Sequence, residues 1–171
     1  MIQIPTDRDF GADFLKADEL QALGERIIHD KLADLDDGEL IIDYAWKKKG
    51  GASGGNSILG KCVKLSGPAR YFALGSHFLV WLGADNCRTR HFDDRQVEAL
   101  LYHELLHIVR EEHEDEEGNV VGVTYKTRGH DTELFNDEIK EYGLWRDSLK
   151  YLGEVVQATL PGFEPALVAS T

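Results

Sequence analysis

The sequence predicts one α+β domain, in which a small mixed sheet packs against a central helix and flanking helices. Short stretches rich in β-branched and aromatic residues, separated by glycine-rich turns, are typical of strands. Longer stretches repeat apolar residues at every third or fourth position, which indicates amphipathic helices. The 171 residues contain no internal repeat and suffice for one hydrophobic core. We expect a single domain over residues 1–171, with its core at about residues 17–152 and loose ends on both sides.

The first half of the chain contains one predicted helix and three predicted strands. Between Ala17 and about Leu35, leucine and isoleucine recur at helical spacing, and the run Asp36-Asp37-Gly38 ends the pattern. The strands are predicted at residues 39–46, 58–65 and 76–83, with a glycine-rich loop at residues 50–57 and a short helical piece at residues 67–74. The glycine-rich loop is expected to be a long hairpin connection or a flap.

The third predicted strand, at residues 76–83, directly precedes the central helix. A strand in this position is expected to form the edge of the sheet, where an extended peptide can pair with it. Beyond the central helix, the acidic run at residues 111–117 predicts a solvated turn. A strand at residues 119–126 and a helix beginning near Asp131 complete the expected domain.

The central helix has a clear start and a clear apolar face. Asp93 followed by Gln96 matches a capping box, in which each side chain accepts a hydrogen bond from the other residue's backbone. One face is expected to pack on the core through an apolar stripe: Val97, Leu101, Leu105 and Ile108. The other face carries the motif His103-Glu104-Leu105-Leu106-His107.

This HExxH motif predicts a metal site. Residues four apart lie one turn apart on the same helix face, so His103 and His107 can direct imidazole nitrogens at a single ion. Neutral imidazoles are good Zn²⁺ ligands, and zinc lowers the pKa of bound water toward about 7. Glu104 flanks the same face, where it can take a proton from that water. We expect one zinc ion per chain.

A catalytic zinc site usually has three protein ligands and an open position. His130 is the first candidate for the third ligand, because Gly129 frees the backbone that brings its imidazole in. His113 lies ten residues after His103, although Arg110 stands where the HExxHxxGxxH pattern has glycine. A glutamate, at Glu133 or Glu138, is the third option.

The composition excludes several other classes of protein. A net charge of −12 argues against a broad nucleic-acid surface. No apolar run approaches the roughly 20 residues of a membrane helix, and the N-terminus does not resemble a signal peptide, so a cytoplasmic location is expected. Cys62 and Cys87 form no CxxC pair, which excludes a zinc ribbon and predicts two reduced thiols.

The order of strands, HExxH helix, hairpin and Gly129-His130-Asp131 resembles the phage metallopeptidase domain family and, more distantly, the SprT-like zincins. The likeness covers roughly residues 39–145. It implies a zincin fold, zinc ligands at His103, His107 and His130, and Glu104 as the catalytic acid and base. It also implies protein or peptide substrates and a phage or prophage origin, in which case the protein would act in the host cytoplasm. The C-terminal zinc ribbon of many SprT-like proteins is missing.

Three functions are compatible with these residues. The first is a zinc-dependent peptidase that hydrolyses peptide bonds in proteins. The second is a catalytically silent zinc-containing module that binds a host protein, and the third is hydrolysis of a non-peptide amide. Tyr125, Tyr142 and Arg128 are candidate donors to the oxyanion of the reaction, and nothing in the sequence ranks them. The natural substrate, the cleavage preference and the oligomeric state are not predicted.

Overall fold

The computed structural model describes residues 2–130 together with Tyr151, Glu154 and Val155. Contacts between Cα atoms divide the chain into two compact units, Met1–Arg128 and Gly129–Thr171. The second unit is described only at Gly129, His130 and the three exposed residues just named. The helix predicted from Asp131 lies outside the described residues, and the single domain stays a prediction.

The first unit contains four helices and eight strands among its described residues. The helices are α1 (Asp18–Lys31), α2 (Gly67–Phe72), α3 (Ala84–Thr89) and α4 (Asp94–Leu105), and a 3-10 turn covers Ala33–Leu35. The strands are β1 (Phe14–Lys16), β2 (Ile42–Lys47), β3 (Ala52–Ser53), β4 (Asn56–Ser57), β5 (Gly60–Lys64), β6 (Phe78–Gly83), β7 (Ile108–Glu114) and β8 (Val120–Thr127). The predicted α+β fold class is therefore confirmed, and it is consistent with a metallopeptidase-like fold.

The main sheet has the strand order β1-β2-β6-β5. Strands β2 and β6 are parallel, whereas β1 pairs with β2 and β5 pairs with β6 in antiparallel fashion. The prediction that residues 76–83 form the sheet edge was wrong, because β6 lies between β2 and β5. Among the strands that the structure describes, β5 lies at this edge of the sheet, and it contacts α4.

The core lies between this sheet and the helices α1 and α4. Its largest fully buried side chains come from all three: Trp46, Phe78, Leu20, Ile27, Leu82 and Leu101. The predicted stripe is confirmed on α4 for Val97, Leu101 and Leu105, which are buried, whereas Ile108 is buried as the first residue of β7. This stripe fixes the rotation of α4 about its axis, and so determines which way the histidines of the motif point.

Several elements differ from the sequence-based expectation. Helix α3 and the short strands β1, β3 and β4 were not predicted, and the acidic run was assigned to a turn although its first half forms β7. Glutamate has a low strand propensity, but β7 pairs along its whole length with β8, and pairing of this kind overrides propensity. Lys126 also forms an ion pair across the hairpin with Glu111, which offsets part of the acidic repulsion. Residues 115–119 do form the predicted turn.

The carboxylate of Asp37 attaches the β7–β8 hairpin to the rest of the unit. It accepts hydrogen bonds from the Arg110 guanidinium at 2.9 Å and from the Tyr125 hydroxyl. It also accepts the backbone N–H groups of Glu39 at 2.9 Å and Leu40 at 3.1 Å. Burial raises the pKa of Asp37, but the four hydrogen bonds together outweigh it and leave the pKa below its ordinary value.

Replacing Asp37 by asparagine is therefore expected to change how stability depends on pH. A carboxylate whose folded pKa is lowered stabilises the fold above its unfolded pKa of about 4, and this stability is lost as the pH falls through the folded value. The Asp37→Asn variant should be about 1–3 kcal/mol less stable at pH 7 and should lose less stability below pH 4. Urea unfolding between pH 2 and pH 7 measures both. Parallel pH profiles for the two proteins would contradict the assignment.

In the part of the chain that the structure describes, no helix has the length and apolar content that a membrane span requires.

Candidate metal centre

Helix α4 positions His103 and Glu104 of the motif, whereas His107 lies in the turn that follows the helix. The predicted capping box is confirmed: Gln96 N–H donates to the Asp93 carboxylate at 2.8 Å, and Asp93 N–H donates to the Gln96 side chain at 3.0 Å. The helix ends at Leu105, so His107 lies just beyond it, with its N–H on the carbonyl of Glu104 at 3.3 Å. This tight turn keeps the imidazoles of His103 and His107 together, with ring centroids 5.2 Å apart.

The His107 ring is held in place by the end of β8. Its Nδ1 atom lies 2.8 Å from the carbonyl oxygen of Arg128, an atom that can only accept a hydrogen bond. The hydrogen therefore sits on Nδ1, so Nε2 is the nitrogen of this ring that could ligate a metal. Two further bonds strengthen the connection, because Arg128 donates its backbone N–H to His107 at 2.8 Å and its Nε–H to Leu106 at 2.7 Å.

The chain leaves β8 beside His107 and reaches His130 two residues after Arg128. One ring nitrogen from each of His103, His107 and His130 can be chosen so that the three atoms lie within 4.8 Å of one another. His103 and His130 are exposed and His107 is half-buried, so the group is open to solvent. Three neutral imidazoles suit a transition metal such as zinc, and these residues fit the ion that the motif predicts.

Glu104 lies next to these histidines but is itself buried, with 5 % of its surface exposed. Its side chain packs against the start of β5, close to Gly60 and to the backbone of Cys62. Burial raises the pKa of Glu104, and the nearby His107 and the Cys62 N–H reduce this effect without cancelling it. A raised pKa strengthens the carboxylate as a proton acceptor.

The other candidate ligands lie elsewhere or outside the described residues. His113 stands on the exposed half of β7, with Nε2 2.9 Å from the Thr124 hydroxyl. Glu133 and Glu138 lie outside the described residues.

The candidate oxyanion donors are placed as follows. The Tyr125 hydroxyl is bonded to Asp37, in the attachment of the hairpin described above. The Arg128 guanidinium bonds the carbonyl of Leu106. Tyr142 lies outside the described residues. Sequence reasoning missed Gly60 and Cys62, which lie close to Glu104. The only sequence signal at this position is a glycine at the start of a predicted strand, and that signal does not indicate which residue lies beside it.

A family model described as "Putative phage metallopeptidase" matches residues 12–158. The chain belongs to this family. The match is wider than the resemblance expected from the sequence, since it includes α1 and begins just before β1. Family membership implies a metal ion and protein or peptide substrates. Comparisons with curated proteins and with solved structures gave no match.

Proposed function

We propose that this protein is a zinc-dependent peptidase that hydrolyses peptide bonds in proteins or peptides. One observation carries the proposal: three imidazoles that can hold one ion lie beside a buried carboxylate, in a chain of a metallopeptidase family. His103, His107 and His130 would hold one zinc ion per chain. When bound, zinc supplies a positive charge that polarises the scissile carbonyl and makes water acidic enough to react at neutral pH.

Glu104 is the general base of the proposed reaction. Its carboxylate takes the proton of the attacking water and later delivers it to the nitrogen of the departing amine. Burial keeps the side chain in one place and supports this role, because a carboxylate with a raised pKa holds the proton more readily between the two transfers.

Strand β5 lies at the edge of the described sheet, and this position supports the proposal that the substrate is an extended peptide. Gly83 N–H bonds the carbonyl of Leu59, and Leu65 N–H bonds the carbonyl of His77, so odd-numbered residues of β5 face β6. Backbone groups alternate along an antiparallel strand, and Gly60, Cys62 and Lys64 therefore direct theirs to that edge. A substrate backbone could pair there, beside the carboxylate of Glu104.

We further infer a cytoplasmic site of action, for which the two free cysteines are the support.

The proposal is tested by incubating zinc-loaded protein with an unfolded protein such as reduced, alkylated casein. Mass spectrometry should find new peptide fragments, and EDTA should stop their formation until zinc is restored. If the loaded protein cleaves none of a broad set of unfolded proteins and peptides, the peptidase proposal fails. The zinc-containing binding module is then the better description.

A further inference from the structure

The start of β5 and the side chain of Glu104 fit closely together. Of the residues in this part of the strand, Gly60 and Cys62 present their backbone groups to the edge of the described sheet. The Glu104 side chain lies against the start of this strand and is only 5 % exposed, so the strand confines a side chain that would otherwise sample several rotamers.

Gly60 provides the space that Glu104 occupies. A Cβ atom added at Gly60 would lie 2.7 Å from Oε1 and 3.0 Å from Cγ of Glu104, and 3.0 Å from Cδ2 of Leu82. The φ angle of Gly60 is not positive, so the backbone conformation itself does not require glycine here. The shortest contact of the added Cβ is with the neighbouring carboxylate of Glu104.

We propose that the start of β5 forms a cradle that positions Glu104, in which Gly60 leaves the space that the carboxylate occupies. Gly60 is a positioning residue, which acts on the reaction only through the carboxylate that it admits. The catalytic consequence rests on the proposed function, whereas the steric contact between Gly60 and Glu104 does not. The two parts can therefore be tested separately.

The steric part is tested by thermal unfolding of Gly60→Ala in two backgrounds. In the wild-type background the added methyl group meets Glu104 and should lower the Tm by roughly 3–10 °C. In a Glu104→Ala background the carboxylate is gone, and the same substitution should cost less than half as much. Gly122→Ala is the matched control, because Gly122 lies in β8 with no atom within 4 Å of an added Cβ.

The comparison shows whether the added methyl group conflicts with Glu104 or with Leu82. A smaller loss of Tm in the Glu104→Ala background supports the cradle, and so does a Gly60→Ala protein that folds only in that background. An equal loss in both backgrounds, or failure to fold in both, would place the conflict at Leu82 and overturn the proposal.

The catalytic part is tested by steady-state kinetics on zinc-loaded Gly60→Ala. Displacing a positioned group by about 1 Å can cost up to about 100-fold in rate. We expect kcat to fall at least about tenfold, with KM changed less than about twofold and zinc content unchanged. An unchanged kcat would refute the positioning role. If the wild-type protein has no peptidase activity, the proposed function fails, and the Tm comparison still decides whether the cradle exists.

Discussion

Glu104→Gln is expected to lower kcat by about 10²–10⁴-fold, because the amide cannot accept a proton from the attacking water. Glutamine has the same shape as glutamate and fits the same space beside Gly60, so the fold should be retained. The zinc content should also be unchanged, since no imidazole is altered. Assays of casein cleavage, together with zinc analysis of the same preparations, measure both quantities.

Glu98→Gln is the matched control for this variant. Glu98 lies on the same helix, where it forms ion pairs with Arg26 and Lys31 on the protein surface. Surface pairs contribute about 0–1 kcal/mol, so Glu98→Gln should leave both activity and zinc content close to those of the parent. Undiminished hydrolysis by Glu104→Gln would show that another group takes the proton, and the mechanism proposed above would be wrong.

His107→Ala is expected to have the second large effect, because this side chain has two roles. It would supply a zinc ligand, and its Nδ1–H bonds the carbonyl of Arg128 at the end of β8. Loss of the group that orients a ligand alone typically costs about 10–100-fold in metal affinity, and loss of the ligand itself should cost more. We expect zinc affinity to fall by more than about 100-fold, with loss of peptidase activity. Competition with a chromophoric chelator measures the affinity.

The matched control for His107→Ala is His113→Ala, in the same hairpin region. The His113 ring contacts Thr124 on the exposed part of β7 and is not a member of the histidine group. Its removal should leave zinc affinity within about twofold of the parent. Equal losses of affinity in the two variants would mean that the HExxH histidines do not form the metal site.

Local sequence signals predicted the central helix well. The capping box of Asp93 and Gln96 depends on residues three positions apart, and the apolar stripe depends on helical periodicity, so both are written in one short stretch. The same stretch carries His103 and Glu104. The fold class and the start of the site could therefore be predicted without knowledge of the rest of the chain.

Features that depend on distant partners were missed or misplaced. The edge of the sheet was assigned to β6 because strand order is determined by pairing between segments, which periodicity does not report. Strand β7 was hidden by its acidic composition, since its partner β8 and the Asp37 carboxylate stabilise it from elsewhere in the sequence. The contact between Gly60 and Glu104 is likewise invisible until β5 and α4 are placed side by side.

The end of the motif helix depends both on local sequence signals and on contacts with a distant segment. Helical spacing predicted that His103 and His107 face the same way, and their rings do lie together. The helix nevertheless ends at Leu105, and Arg128 holds His107 in the turn that follows. The two rings lie together because tertiary hydrogen bonds at His107 replace the missing helical turn.

The proposed zinc site consists of His103, His107 and His130. Elemental analysis of tag-free protein tests it most directly, by comparing the parent with His130→Ala and His113→Ala. We expect about one zinc per chain in the parent and in His113→Ala, and a loss of most of the zinc in His130→Ala. Retention of zinc by His130→Ala, or a parent that binds no zinc after reconstitution, would contradict the proposed site.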